Sequence, residues 1–298
     1  MRIIIAQNLN FDDDQLEKLG KLGSLKVYEN PKSEEEWLER CQNADIICSG
    51  SRFMKTEVYG LTNKFITIPM TGYSWLDLEK LKEKNIIFAN CPGCNKYAVT
   101  EWILAMTLEL TRKFTKFINT NKSYDINFPS IGLKGKNIVI LGKGSIGALT
   151  GNVLTALGSS VSFYQRGDSL VGKIKNADIV INCLSTNPTT IGLLDKNFFD
   201  HLKKGVYFVT TTPSDILDQK SMMGALDQGI IAGIATDCAS VGPRDTADPR
   251  YIEMSSNPKI IATPHIAWFS DTSIKDENDI MIDNIEAWIE GKPQNIIT

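Results

Sequence analysis

The sequence predicts an α/β protein made of two doubly wound parallel sheets. Short β-branched runs alternate with amphipathic stretches along almost the whole chain, a pattern that favours parallel strands with helices on both faces. A glycine motif, GKGSIG at 142–147, lies between one such strand and a helix-compatible segment. The 298 residues, 42% hydrophobic and 22% charged, suffice for two cores of ordinary size.

The elements follow in order. Residues 2–6 read as a buried strand, and 12–22 as a helix with acids in its first turn. A strand at 25–28 precedes the run Ser33-Glu34-Glu35-Glu36, a capped helix start. Strands at 44–48, 64–68 and 86–88 complete a set of five, with a helix at 76–84 between the last two. Apolar residues at Val99, Trp102, Ile103, Met106, Leu108 and Leu110 predict one long helix over 97–117, bridging two lobes or simply buried in a core. A loop at 119–132 follows. Strands are then expected at 137–141, 161–164, 177–182, 206–210, 230–235 and 260–262, and helices at 195–202 and 221–226. The amphipathic segment 273–289 reads as a helix returning to the first lobe.

The order strand, glycine turn, helix gives the GxGxxG spacing of Gly142, Gly144 and Gly147 its meaning. Gly142 permits a tight turn, Gly144 lets backbone approach a pyrophosphate, and Gly147 lets helix pack on strand. The anion would rest on free N–H groups at the helix N-terminus. Where an NAD-binding unit usually carries an acid for the ribose 2′-OH, this chain has Gln165 and Arg166. A guanidinium with no competing carboxylate suits a 2′-phosphate, so NADP is expected, with NAD the alternative. Arg166 is equally compatible with a solvated charge or with stacking on adenine.

The net charge of −3, with basic and acidic residues interspersed, gives no basic stripe for nucleic acid and no polybasic membrane patch. No apolar run approaches the length of roughly 18 residues that a membrane span needs, and the N-terminus lacks a secretory pattern. A cytoplasmic protein is therefore expected. The six cysteines read as reduced thiols. Cys91-Pro92-Gly93-Cys94 has redox or metal spacing, but no further ligands complete a zinc site. It reads as a loop carrying two cysteines, with a local disulfide or adventitious metal as the alternatives. His201 precedes Lys203-Lys204-Gly205 in a polar surface turn, and Trp102 reads most simply as core.

Taken together, these pieces resemble the D-isomer-specific 2-hydroxyacid dehydrogenases, the family of glycerate, phosphoglycerate, hydroxypyruvate and D-lactate dehydrogenases. The resemblance rests on Gly72-Tyr73-Ser74-Trp75-Leu76-Asp77-Leu78, Asn90-Cys91-Pro92-Gly93, Ala98-Val99-Thr100-Glu101 and Leu133-Lys134-Gly135-Lys136 before GKGSIG. It continues through Asn187-Pro188-Thr189-Thr190-Ile191-Gly192-Leu193-Leu194, Thr236-Asp237-Cys238 and Thr263-Pro264-His265-Ile266-Ala267. It implies a flavodoxin-like substrate domain, residues 1–95 and 268–298, with an NAD(P)-binding Rossmann domain, 96–267, inserted between its halves. It also implies a homodimer and a site in the cleft where a small 2-hydroxy or 2-oxo acid exchanges hydride with the nicotinamide.

By the same resemblance His265 is the acid/base, a role suited to an imidazole because its unperturbed pKa lies near neutrality. The cofactor contacts implied are Gly142, Gly144, Ser145, Ile146, Gly147, Gln165, Arg166, Leu184, Ser185, Thr190, Thr211, Asp237 and His265, with Asp237 near the carboxamide. Arg52 and the backbone of Thr71, Gly72 and Tyr73 are the substrate candidates. Two positions depart from the family. Pro213 stands where its arginine clamps the substrate carboxylate, and Gly242 where its acid pairs with the histidine. Losing one preorganised donor commonly costs on the order of 10²–10³ in rate. Three readings follow. Arg52 or Arg244 supplies the cation and Asp245 supports His265; or the substrate lacks the usual carboxylate; or the protein binds dinucleotide without turnover, as a sensor or interaction partner.

Overall fold

The structure is a computed structural model and describes residues 1–118, 130–212, 214–237 and 246–298. The chain forms two units, Met1–Asn95 with Phe269–Thr298, and Lys96–Trp268.

The first unit begins with strand β1 (Arg2–Ile5), helix α1 (Asp13–Leu22), β2 (Ser24–Val27), α2 (Glu34–Cys41), β3 (Ile46–Cys48), β4 (Phe65–Thr67), α3 (Leu78–Glu83) and β5 (Ile87–Ala89). Its helices start where side chains satisfy free amides. Asp12 accepts from the Gln15 N–H at 2.8 Å while Gln15 accepts from the Asp12 N–H at 3.1 Å, a reciprocal cap. Ser33 accepts from Glu36 N–H at 3.2 Å to start α2. The strands pair in parallel in the order β2-β1-β3-β4-β5, so the winding reverses between β1 and β3. Every residue of β3 and β4 is buried, as sheets covered on both faces require.

The second unit contains α4 (Lys96–Arg112), α5 (Phe114–Ile118), β6 (Asn137–Leu141), α6 (Ser145–Ala156), β7 (Ser160–Tyr164), α7 (Leu170–Ile174), β8 (Ile179–Asn182), α8 (Lys196–Asp200), β9 (Val206–Thr210), α9 (Gln219–Asp227), β10 (Ile231–Thr236), α10 (Pro249–Ser256) and β11 (Ile260–Ala262). Its six parallel strands lie in the order β11-β10-β9-β8-β6-β7, with the reversal between β6 and β8. The last helix, α11 (Asp271–Ile289), belongs to the first unit. Among the described residues no helix is long and apolar enough to cross a membrane.

One expected element is corrected. The long helix over 97–117 is two helices, because Lys113 adopts a left-handed backbone with φ +55°. The Glu109 carboxylate accepts from the Thr115 N–H at 3.1 Å, so a new helix starts there. Two further helices stand where no element is expected from the sequence. Five-residue α7 contains Gly172, whose N–H donates to Ser169 Oγ at 3.2 Å, and α10 opens on Pro249, which reads as a breaker in isolation. Of the loop at 119–132, residues 119–129 lie outside the described residues.

Candidate cofactor and substrate sites

In open parallel sheets ligands gather beyond the carboxyl ends of the strands, at the point where the winding reverses. In the second unit that point lies between β6 and β8, and the GKGSIG turn leaves β6 there. Gly142 has φ +94° and donates its N–H to Tyr164 O at 3.0 Å, tying the turn to the end of β7. A Cβ on Gly147 would stand 2.3 Å from Gly142 O, whereas one on Gly144 would meet nothing within 4 Å. Gly144 caps α6 with no side-chain acceptor, so the first amides of the helix, at Ser145 and Ile146, face an open cradle. These features fit a dinucleotide pyrophosphate.

The loop after β8 forms the other wall of this point. Leu184 N–H donates to Asn182 Oδ1 at 3.2 Å, and Thr190 Oγ1 to Ser185 O at 2.7 Å. The buried hydroxyl of Thr186 has no hydrogen-bond partner, a polar atom left for a ligand or water. Thr211, half-buried after β9, bonds through its N–H to Asn182 O at 3.4 Å. At the end of β7 both Gln165 and Arg166 are exposed. Arg166 Nη2 donates to Thr189 Oγ1 at 3.2 Å. Asp168, unremarked in the sequence reading, accepts from Gln165 N–H at 3.0 Å and lies 3.5 Å from Lys173 Nζ.

His265 and Asp237 are brought together by the loop after β11. Asp237 is 1% exposed, and its carboxylate accepts from the Ile266 N–H at 2.9 Å, the Ala267 N–H at 2.8 Å and the Thr263 hydroxyl. Its backbone carbonyl accepts from the His265 N–H at 2.8 Å. This clasp holds His265 in a left-handed conformation, φ +57°, that a non-glycine residue adopts only when its surroundings impose it. Burial pushes the Asp237 carboxyl up, against its three donors and the neighbouring His265, which favour the ionised form. Trp102 is more than core: it is half-buried, and its Nε1 donates to Thr263 Oγ1 at 3.1 Å, extending the clasp to α4. Only the side-chain donor of tryptophan hinted at this in the sequence. His201 is exposed at the C-terminal end of α8, with Nδ1 2.8 Å from Asn197 O of that helix.

In the first unit the candidates also follow the carboxyl ends of strands. Arg52 lies after β3, exposed, with its guanidinium 5.1 Å from the Phe53 ring centre. Thr71, Gly72 and Tyr73 are exposed after β4, and among the described residues their backbone N–H groups have no hydrogen-bond partner. This loop is propped by Asn90, whose Nδ2 donates to Thr71 O at 2.7 Å, and by Thr71 Oγ1, which donates to Cys91 O at 3.1 Å. Asn90 is held in turn by Asn284, which donates to its carbonyl at 3.0 Å. Cys91 and Cys94 are buried free thiols, and burial pushes Cys94 up to about 12 and raises Cys91 as well. No group of three metal-ligating side chains converges among the described residues. Pro213, Cys238, Gly242, Arg244 and Asp245 lie outside the described residues.

The family profile described as D-isomer specific 2-hydroxyacid dehydrogenase, NAD binding domain, matches residues 104–267. The chain is 27% identical to a hydroxypyruvate reductase of Blautia hydrogenotrophica over 325 aligned positions, covering 100% of this chain and 99% of that protein. It is 27% identical to a D-lactate dehydrogenase of Staphylococcus aureus over 75% of this chain and 74% of that one. Among solved structures, an acyclic imino acid reductase, Bsp5, in complex with NADPH and D-Arg superposes with a TM-score of 0.88 at 22% identity, covering 100% of both chains. A glyoxylate reductase from Paecilomyes thermophila gives 0.85 at 19%, covering 100% of this chain and 98% of that one. At these identities the structural likeness is one of fold.

Proposed function

Because the chain belongs to the D-isomer specific 2-hydroxyacid dehydrogenase family, we propose that it interconverts a small 2-oxo acid and its 2-hydroxy acid, with NADP(H) preferred and His265 as acid and base. The protein is an oxidoreductase with an NAD-binding domain. Lys96–Trp268 is then the cofactor domain, and the discontinuous unit the substrate domain.

The observation that carries the reading is the Asp237 clasp, because three donors converge on one buried carboxylate to fix the loop bearing His265. A left-handed backbone at a non-glycine residue is uncommon, and here it is fixed by that carboxylate. Bound nicotinamide supplies or accepts the hydride. His265 gives a proton to the substrate oxygen in reduction and takes it back in oxidation. The free amides of Thr71, Gly72 and Tyr73 suit the substrate carboxylate, with Arg52 as the cation of that unit. This assignment answers the departure at Pro213, since backbone amides need no side chain. Arg166, exposed at the end of β7 where Asp168 is engaged by the Gln165 N–H and lies 3.5 Å from Lys173, supports NADP over NAD. A homodimer in the cytoplasm completes the proposal, the assembly to be read by sedimentation equilibrium.

The test is titration with NADPH and NADH by nicotinamide fluorescence, followed by 2-oxo acids, simple ketones and aldehydes added to the complex. Turnover with at least one 2-oxo acid is expected, falling by about 10³-fold in His265→Asn, far more than cofactor affinity falls. Asparagine tolerates the left-handed backbone, so this variant removes the proton carrier and keeps the loop. Tight binding without turnover across the panel would overturn the enzyme reading in favour of a silent dinucleotide-binding sensor.

A further inference from the structure

Two successive carbonyls after β4 are tied down on the same side. Met70 O accepts from the Cys91 N–H at 2.9 Å, and Thr71 O accepts from Asn90 Nδ2 at 2.7 Å. A trans peptide points its N–H opposite to its C=O, and no peptide bond among the described residues is cis. The Thr71 and Gly72 N–H groups therefore leave the chain together on the other side, away from Asn90 and Cys91. Consecutive amides aimed alike form a seat for an anion. The first of the two restraints is backbone to backbone. The second exists because residue 90 is an asparagine.

Gly72 follows the restrained carbonyl, and a Cβ there would meet nothing within 4 Å. Glycine adopts left- and right-handed backbone about equally readily, so sterics at Gly72 do not stop the Thr71–Gly72 peptide from turning over. Turned over, it would present a carbonyl oxygen where an anion needs an N–H. The Asn90 amide supplies the missing restraint, and Asn90 is itself held by the segment that follows α11. It is 6% exposed, its N–H donates to Asn295 O at 3.1 Å, and its carbonyl accepts from Asn284 Nδ2 at 3.0 Å. Asn284, fully buried, also donates to Thr67 Oγ1 at 3.2 Å, and its Oδ1 accepts from Asn295 Nδ2 at 2.8 Å. Both its donors and its oxygen are thus occupied. Asn295 takes a left-handed backbone, φ +53°, where the chain turns to run antiparallel beside β5 and bridge Ala89 through Ile296.

We propose that Asn90 is a positioning residue for the substrate carboxylate, locking the Thr71–Gly72 peptide with its N–H outward while Asn284 and Asn295 hold Asn90 in place. The proposal rests on the reading above that these amides receive the carboxylate of a 2-oxo acid. A hydrogen bond to a peptide carbonyl also polarises the group and strengthens its N–H as a donor. The restraint acts on how the carboxylate is held, not on the hydride or the proton. Its loss should therefore appear in KM, with kcat little changed.

The test is steady-state kinetics of the full-length protein with the 2-oxo acid of the panel that turns over fastest and with the amide of that acid, which lacks the charge. The wild type is expected to prefer the acid by about 100-fold in kcat/KM, and Asn90→Ala to lose about tenfold of that preference through KM, with kcat within about twofold. Asn295→Gly keeps the left-handed backbone and removes only the side-chain bond to Asn284, so it should lose about threefold, with no added effect in an Asn90→Ala background. Asn295 is half-buried, and its variant gives the answer even where Asn90→Ala does not fold. NADPH affinity, set in the other unit, should be unchanged in both. A wild type that turns over amide and acid equally overturns the carboxylate reading of these amides. A wild type that prefers the acid, with KM and preference intact in the variants, overturns the positioning role and leaves that reading standing. A fall in kcat with KM unchanged also overturns it, since the asparagine would then act on the chemical step.

Discussion

Single residues in this protein are held in states that their surroundings dictate, and Asp237 and Glu277 are two carboxyls that burial pushes up, one met by hydrogen-bond donors and one not. Asp237 is buried but met by three donors, so its carboxyl fixes the His265 loop through hydrogen bonds. Glu277, on α11, is 5% exposed, and its carboxyl has no hydrogen-bond partner among the described residues. Burial alone pushes it up from 4.5 to about 8. From about pH 4.5 to 8 the folded protein keeps a proton that the unfolded chain releases. Stability therefore falls as pH rises through this window, by at most ~1.4 kcal/mol per pH unit, and levels off above the folded pKa. Glu277→Gln should flatten the urea-midpoint profile between pH 5 and 8, stabilising the protein most at pH 8. An unchanged slope would show that the carboxyl finds solvent or a partner as it ionises.

At the scale of the element, the β6–α6 turn separates two uses of glycine that the motif alone merges. Gly147→Ala places a Cβ 2.3 Å from backbone at Gly142 O, so the turn must move, costing roughly 1–3 kcal/mol of stability and the cofactor with it. Gly144→Ala meets nothing in the protein and should cost under about 1 kcal/mol through weaker capping, while obstructing the pyrophosphate. Thermal unfolding beside NADPH titration tests the pair, and equal stability losses would refute the distinction. This motif was legible because glycine spacing, strand and helix are all local in the chain. The break at Lys113 was not, since lysine carries no turn signal and the Glu109 carboxylate that starts the next helix is recruited from six residues before Thr115. Nor was the Asp237 clasp, whose donors lie 26 to 30 residues away and become neighbours only when β10 and β11 pair. His265 was picked out by its resemblance to a family pattern, but what orients it is tertiary.

For the whole molecule, the arrangement of the cores predicts how the chain can be cut. Each cluster of buried apolar residues lies wholly within one unit. Those around Phe208 and Ile140 are built from Lys96–Trp268, and those around Phe88 and Ile5 from the two ends of the chain. The cofactor unit is continuous in sequence and supplies all six strands of its own sheet. Expressed alone it should unfold cooperatively on heating and still bind dinucleotide, because a domain with a complete core needs no other segment to fold. The first unit is different. Its strand β4 stacks Phe65 on Trp288 of α11 with ring centres 5.0 Å apart, and Asn90 depends on Asn284. Residues 1–95 alone therefore lack part of their core and should lose cooperative unfolding, regaining it when 269–298 is joined on through a short Gly/Ser linker. Circular dichroism melts of the three fragments decide the matter. If 96–268 fails to fold while the intact chain does, its core is not self-sufficient, and the insertion must be stabilised by the domain that surrounds it in sequence.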